Sequence, residues 1–432
     1  MIKTPAADEI EGALGAIVRF NTRRPLDRRR DLLSVSADAQ YAERADEWTP
    51  NLNFLGSVQT ETAEGTRLGA LFNFTHKGRR LRQDFLDVRF DVERDTVAAY
   101  AKANFGFDLA GVSAFGNFGL RYVNTDRSAT GSTTSDNINF DQQTVDLSYD
   151  NWLPSFNLVA ELGGGYYARF GAAKTMARPR LIDIAPLLNL QPFRRGGDGG
   201  NPLLRAEEVF QLDASFEKYF SRSNLVSVAF FYKDFSERIE DGVTLGCFIL
   251  GDLTDDDPTD GCPTGQDIFS VNSKVNAGEA KVKGVEVAWQ QSLDFLPSPL
   301  DGFGFIANYT YIDAGDASLS PSGLRLPVQD LSEHSYNLIG YYEKGSFSTR
   351  VAYNWRSEFY DEKSDANIGS FAEPHGQPDA SMSFDISANF SVQAEAINIL
   401  NEAEIRYQEI RERLLACRVN DRRFLIGVRW KM

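Results

Sequence analysis

The side chains able to do chemistry are few, and their spacing does not favour catalysis. His76, His334 and His375 are the three histidines. They stand far apart, without the short spacing that metal ligation uses, so they read as surface residues rather than ligands. A serine hydrolase needs its histidine facing the nucleophile, whereas His334 and Ser335 are neighbours, whose side chains leave opposite faces of a strand. The run RRGGDGGNP at Arg194–Pro202 matches neither a P-loop nor a dinucleotide fingerprint, and its glycines punctuate a loop. The aspartates of Gly251–Asp260 (GDLTDDDPTD) miss the EF-hand spacing and read as a solvated loop. Cysteine is the exception. Cys247 and Cys262 bracket a segment holding Gly251, Pro258 and Gly261, which can turn back on itself, and an oxidising exterior would let them form a disulfide. Cys417 would then remain unpaired; three free thiols are the alternative. No catalytic, cofactor-binding or metal site is expected, so the chain does not read as an enzyme.

The elements that position these residues are strands. In the last ten residues, RFLIGVRWKM, Phe424, Ile426, Val428, Trp430 and Met432 share one face, and Arg423, Leu425, Gly427, Arg429 and Lys431 share the other. The same design recurs. In Phe347–Arg356, Phe347, Thr349, Val351, Tyr353 and Trp355 oppose Ser348, Arg350, Ala352, Asn354 and Arg356. Gly302–Ile312 and Ser381–Phe390 alternate as strictly. These strands run to about ten residues, the span of a tilted membrane strand and longer than the 5–6 usual in soluble sheets. Aromatics gather near strand ends, as two interfacial girdles require. The 16 prolines all fall outside strands or at their edges, where no ladder donor is missed.

Composition agrees. The 432 residues include 31 Phe, 16 Tyr and 35 Gly. A mean hydropathy of -0.34 fits a polar lumen with polar loops. No uncharged apolar run approaches the roughly 18 residues of a spanning helix, and Leu225–Tyr232 is typical of the longest. A net charge of -16 argues against nucleic acid as a partner. The opening MIKTPAADEIEG has no apolar core of a secretory signal, so for an outer-membrane protein the chain is expected to lack its start.

About sixteen strands are predicted: Asp31–Glu43, Asn51–Thr60, Thr66–Thr75, Thr96–Phe107, Ala114–Thr125, Phe156–Leu162, Tyr166–Met176, Glu207–Tyr219, Leu225–Arg238, Lys281–Ser292, Gly302–Asp313, Glu333–Glu343, Phe347–Phe359, Ala380–Asn389, Ser391–Leu400 and Arg423–Met432. Lys77–Asp95, the polar stretch to Asp150, Ala177–Ala206 and Ile239–Gly278 read as loops. Short turns alternate with long connections, as between the two rims of a membrane barrel. The fold class is therefore all-β, a transmembrane antiparallel β-barrel of about sixteen strands, with both ends at the short-turn side. Outer-membrane lipid would surround it. Arg350, Asn354, Arg356, Asp385 and Asn389 would face the lumen, where they could contact solute or a plug or simply solvate the wall.

The stretches AAYAKANFGFDLAG, RFGAAKTMARPRL, GNPLLRAEE, FFYKDF, KGVEVAWQQSLDFLP, GFGFIANYTYIDA, HSYNLIGYYEKG, RVAYNWRSEF and EAINILN resemble, in order, the TonB-dependent outer-membrane receptor family of Gram-negative bacteria, closest to a branch linked to oligosaccharide uptake. The segment EGALGAIVRFNTRRPLD looks like the final plug strand, around Ala13–Asn21, with its linker. The resemblance implies residues 1–30 as a remnant of plug and linker and 31–432 as barrel. It implies uptake of a scarce small-molecule ligand, an oligosaccharide or an iron chelate (siderophore). The TonB complex would be engaged only through plug sequence missing here, and the family's barrels have 22 strands. A passive porin-like channel is the other reading, since a sixteen-stranded barrel without a plug holds an open pore.

Overall fold

The computed structural model describes residues 32–42, 47–61, 67–84, 89–134, 140–191, 195–248, 261–264, 266–319, 325–363, 369–387, 390–419 and 422–430. Nineteen strands join one sheet. Three of them, Leu188–Gln191, Gly196–Gly199 and Asp267–Ala277, are additions at one rim. The other sixteen are β1 (Leu32–Ala42), β2 (Glu47–Glu61), β3 (Arg67–Asp84), β4 (Arg89–Leu109), β5 (Val112–Thr134), β6 (Phe140–Gly163), β7 (Tyr166–Ala177), β8 (Glu207–Tyr219), β9 (Leu225–Phe248), β10 (Ala280–Ser292), β11 (Phe303–Asp313), β12 (His334–Lys344), β13 (Phe347–Arg356), β14 (His375–Ser387), β15 (Phe390–Ile397) and β16 (Arg423–Trp430). Each pairs antiparallel with the next in chain order. Among the described residues β1 pairs only with β2 and β16 only with β15, so the meander shows two open edges.

Connections alternate as predicted. Those from even to odd strands are tight, such as Ala110-Gly111, Gly164-Gly165 and Gly345-Ser346. Those from odd to even strands carry the insertions, including residues 178–206, 249–279 and 398–422. Register keeps one polar and one apolar face throughout. The apolar face is open to its surroundings: Ile426 is 85% exposed, and Val351, Phe230 and Trp289 are also exposed. In water such a continuous face would not persist, whereas lipid covers it. Ring pairs mark its limits, with Tyr122–Trp152 at 4.8 Å and Tyr336–Trp355 at 5.1 Å towards the long-loop rim. Phe303–Tyr342 at 4.7 Å and Tyr166–Phe216 at 5.7 Å lie towards the short-turn rim.

Three segments read as loops are strands. Lys77–Asp95 is a hairpin of β3 and β4, whose register sets Arg80 against Glu93, Arg82 against Asp91 and Asp84 against Arg89. The ladder is continuous from Gly69↔Asn104 to Asp84↔Arg89, and the sheet runs through it without a seam. The polar stretch before Asp150 extends β5 to Thr134 and starts β6 at Phe140. Ile239–Gly278 lengthens β9 to Phe248, paired with Asp267–Ala277 from Arg238↔Ala277 to Phe248↔Asp267. Beyond the apolar belt no lipid faces the outer side, so these strands lack the continuous apolar face by which the others are recognised. His76, His334 and His375 also lie within strands, β3, β12 and β14.

The loops of the long-loop rim turn onto the polar face. Ile184, Ala185 and Leu204 pack with Phe90 and Val92 of β4, Ala129 of β5 and Ile239 of β9 in one buried cluster. Strands that distant in the sheet order meet one cluster only if the polar face is the concave one. Val328 likewise packs on Val209, Phe235, Ala280 and Val282. A separate four-stranded sheet, Phe359–Lys363, Gly369–Ala372, Ala403–Gln408 and Ile410–Val419, stands on the same rim.

Candidate ligand-contact face

On β4 to β8 the concave face is filled. Lys102 is 4% exposed and Gln211 1%, and Thr125, Arg127, Asn151, Ser155 and Thr175 are buried with them. Asn151 donates from Nδ2 to Glu208 Oε1, and the Arg127 guanidinium is spent on carbonyls of the loop above. Nearer the short-turn rim, Arg169 Nε donates to Glu217 Oε1 at 2.9 Å, while the Tyr219 hydroxyl donates to Oε2 at 2.9 Å. Buried or engaged with one another, these groups offer little to a solute.

On β11 to β15 the same face is open. Register aligns Asn308, Asn337, Asn354 and Gln377 in one row across β11, β12, β13 and β14. Asn308 and Asn354 are exposed. The Asn337 Oδ1 is buried and accepts no hydrogen bond among the described residues. A carboxamide both donates and accepts, so the row can meet hydroxyl or phenolate oxygens from either side. Arg350 lies on the same face of β13, opposite Tyr341 and Ser381, exposed and without a hydrogen-bond or ion-pair partner among the described residues. Arg356, further along the same face, sets its guanidinium 4.3 Å over the Phe359 ring. Gln377 Nε2 donates to Asp379 Oδ1 at 2.9 Å, which also accepts the Asn398 backbone N–H at 2.9 Å.

The structure thus places Arg350, Asn354 and Arg356 on one face of β13. Asp385 is exposed on the polar face further down β14, opposite Ser391 and away from the row. Asn389 lies outside the described residues, as do the acidic run Gly251–Asp260 and residues 1–31. Cys247 and Cys262 are joined, with Cα atoms 5.6 Å apart, and Cys417 is free and exposed. Asn308, Asn337 and Gln377 were not singled out from sequence. Each was visible as a polar position on an alternating strand, but the row exists only once four registers are known. Arg127 gave no signal at all, because its partners lie 75 and 77 residues away.

Residues 8–399 match the family model described as TonB dependent receptor-like, beta-barrel. Among solved structures, the ferric-catecholate import receptor Fiu from K12 E. coli aligns with a TM-score of 0.59 at 14% identity, covering 92% of this chain and 60% of that one. The ferric citrate transporter FecA aligns at 0.50 and 12% identity over 88% of this chain and 61% of that one. The ferric enterobactin receptor PfeA of Pseudomonas aeruginosa gives 0.48 at 15% identity over 82% and 57%. The chain therefore spans less than two thirds of each. No curated protein shows significant similarity to it.

Proposed function

The chain belongs to the TonB-dependent receptor β-barrel family, and from that premise we propose that it serves uptake of a scarce polar ligand through the Gram-negative outer membrane, with the Asn308–Asn337–Asn354–Gln377 row and Arg350 as the contact face. The family consists of outer-membrane transport proteins rather than enzymes. What supports the reading is an exposed arginine without a partner among the described residues, on the same face as a row of carboxamides of which Asn308 and Asn354 are exposed. An anionic iron chelate satisfies both, the charge on Arg350 and the ligand oxygens on the row. Fiu is a ferric-catecholate import receptor and FecA a ferric citrate transporter. An oligosaccharide would use the row alone. Closure of β16 on β1, antiparallel by strand parity, belongs to the same proposal, since an unpaired edge is untenable in hydrocarbon. So does the assignment of 1–30 to plug and linker and of engagement with the TonB complex to plug sequence.

Calorimetry with ferric tris-catecholate and with a neutral maltooligosaccharide tests it. The chelate should bind, and Arg350→Ala should weaken it about tenfold, the loss of one charge-assisted contact. Binding of the sugar alone, unaffected by Arg350→Ala, would transfer the proposal to the oligosaccharide. The sixteen-strand count favours a second reading, a passive channel. In a planar bilayer that reading requires steady conductance without energy input. A silent, folded chain would mean that the inward-turned loops occlude the lumen.

A further inference from the structure

Residues 178–206 are the longest connection resting on the concave face, and they are gripped from both sides. On the wall side, the buried Arg127 guanidinium donates through Nη2 to the carbonyls of Pro202 and Leu204, the latter at 2.9 Å. Arg178 Nε donates to Thr125 Oγ1 at 3.3 Å. Gly131 of β5 lies so close beneath the segment that a Cβ there would sit 2.3 Å from the Pro186 carbonyl oxygen. On the other side stands Asp267–Ala277. It pairs in parallel with Gly196–Asp198, Ser270↔Gly196 to Asn272↔Asp198. Arg205 N donates to Asn276 Oδ1 at 2.8 Å, Asn276 Nδ2 returns a bond to the Arg205 carbonyl at 3.2 Å, and Asn201 Nδ2 donates to the Lys274 carbonyl at 3.0 Å. That gripping strand is tied to β9 at its far end by Cys247–Cys262.

We propose that residues 178–191 and 195–206 form a strap, clasped in place by the disulfide-tied hairpin, which keeps the β4–β9 side of the mouth closed and leaves β11–β15 as the route by which solute reaches the concave face. This rests on the uptake reading for its purpose, though the clasp itself is testable without any ligand. The wall holds the strap through the Arg127 guanidinium, Arg178 and the Ile184–Ala185–Leu204 cluster. The hairpin supplies the remaining grip, and a hairpin cut loose at its tip opens locally before the sheet beneath it does. Arg127 is a positioning residue for the strap, not a contact for solute.

The test places one reporter thiol under the strap, Ala129→Cys, in a Cys417→Ser background with the native disulfide intact, reconstituted in liposomes. Its labelling by a bulky polar maleimide is compared with that in Cys247→Ser/Cys262→Ser, and with a Gly131→Val wedge that leaves the disulfide in place. At least tenfold faster labelling is expected in both. A reporter at Asn354→Cys should keep its rate in all three. In parallel, amide exchange at Gly200, Asn201 and Leu204, whose N–H groups bond to Leu187, Asp183 and Asn201 carbonyls, should quicken at least tenfold without the disulfide, while β4–β6 stays protected. Unchanged labelling and exchange without the disulfide would overturn the clasp. Loss of protection through all the strands together would overturn it equally, since the unit held would then be the whole sheet. If uptake fails to depend on Arg350 while these rates behave as expected, the strap stands and the ligand reading falls.

Discussion

The two halves of the concave face are built on one plan and end in opposite conditions. On β4–β8 its polar residues Lys102, Arg127, Asn151, Ser155 and Gln211 are all buried, Arg127 beneath the chain's own loop. On β11–β15 the equivalent positions, Asn308, Arg350, Asn354, Ser381 and Glu395, are exposed. Strand pattern does not separate them, since both halves alternate polar and apolar with equal strictness. What differs is the connection above. Residues 178–206 carry Ile184, Ala185 and Leu204, an apolar set able to seat on Phe90, Val92 and Ala129. The links over β12–β15 fold instead into their own sheet, where Tyr360, Phe371 and Tyr407 stack at 5.7 and 5.6 Å. A lumen wall is therefore a contact surface only where the loops decline to cover it.

The largest way to break this contrast is to empty the seat of the covered half. Phe90, 1% exposed, sits in that cluster, and Phe90→Ala should cost about 3–5 kcal/mol by lost burial and cavity formation. Urea unfolding in lipid vesicles measures it. On the open half, losses should come only from the lipid side. Val351→Arg puts a charge at mid-strand on the apolar face and should cost about 2–4 kcal/mol in the same assay. Its concave-face neighbour Asn354→Ala should stay within about 0.5 kcal/mol of the parent while altering ligand binding, because an exposed side chain without a partner among the described residues contributes little to folding.

Tyr407, in the separate sheet over the open half, supplies a pH signature. Burial, then the Glu358 carboxylate that its hydroxyl meets, push its phenol up to about 12. The fold favours the protonated form, so the stability this group contributes is full below pH 10, the ordinary phenol value, and is lost as pH rises through about 12. Absorbance titration at the phenolate band should show a late component that Tyr407→Phe removes and Glu358→Gln shifts downward.

The membrane-crossing part of the fold was legible in sequence for a simple reason. Lipid on one side and water on the other impose period two on every strand, as Phe347–Arg356 shows. Beyond the lipid that constraint vanishes, and the hairpins of β3–β4, β5–β6 and β9 with Asp267–Ala277 looked like loops. The site was half legible. Arg350, Asn354 and Arg356 were visible as concave-face positions on one strand. Asn308, Asn337 and Gln377 join them only through registers that no local pattern encodes. The coverage of β4–β8 was invisible, because it depends on contacts such as Arg127 to Leu204 across 77 residues.

The division into a covered and an open wall can be measured directly with two chains of one free thiol each, the native disulfide kept, in the Cys417→Ser background: Asn151→Cys on the covered half and Asn354→Cys on the open half. Each is labelled from water by a polar maleimide after reconstitution in liposomes. Asn354→Cys should react at least tenfold faster than Asn151→Cys. Equal rates, or a faster Asn151→Cys, would contradict the account.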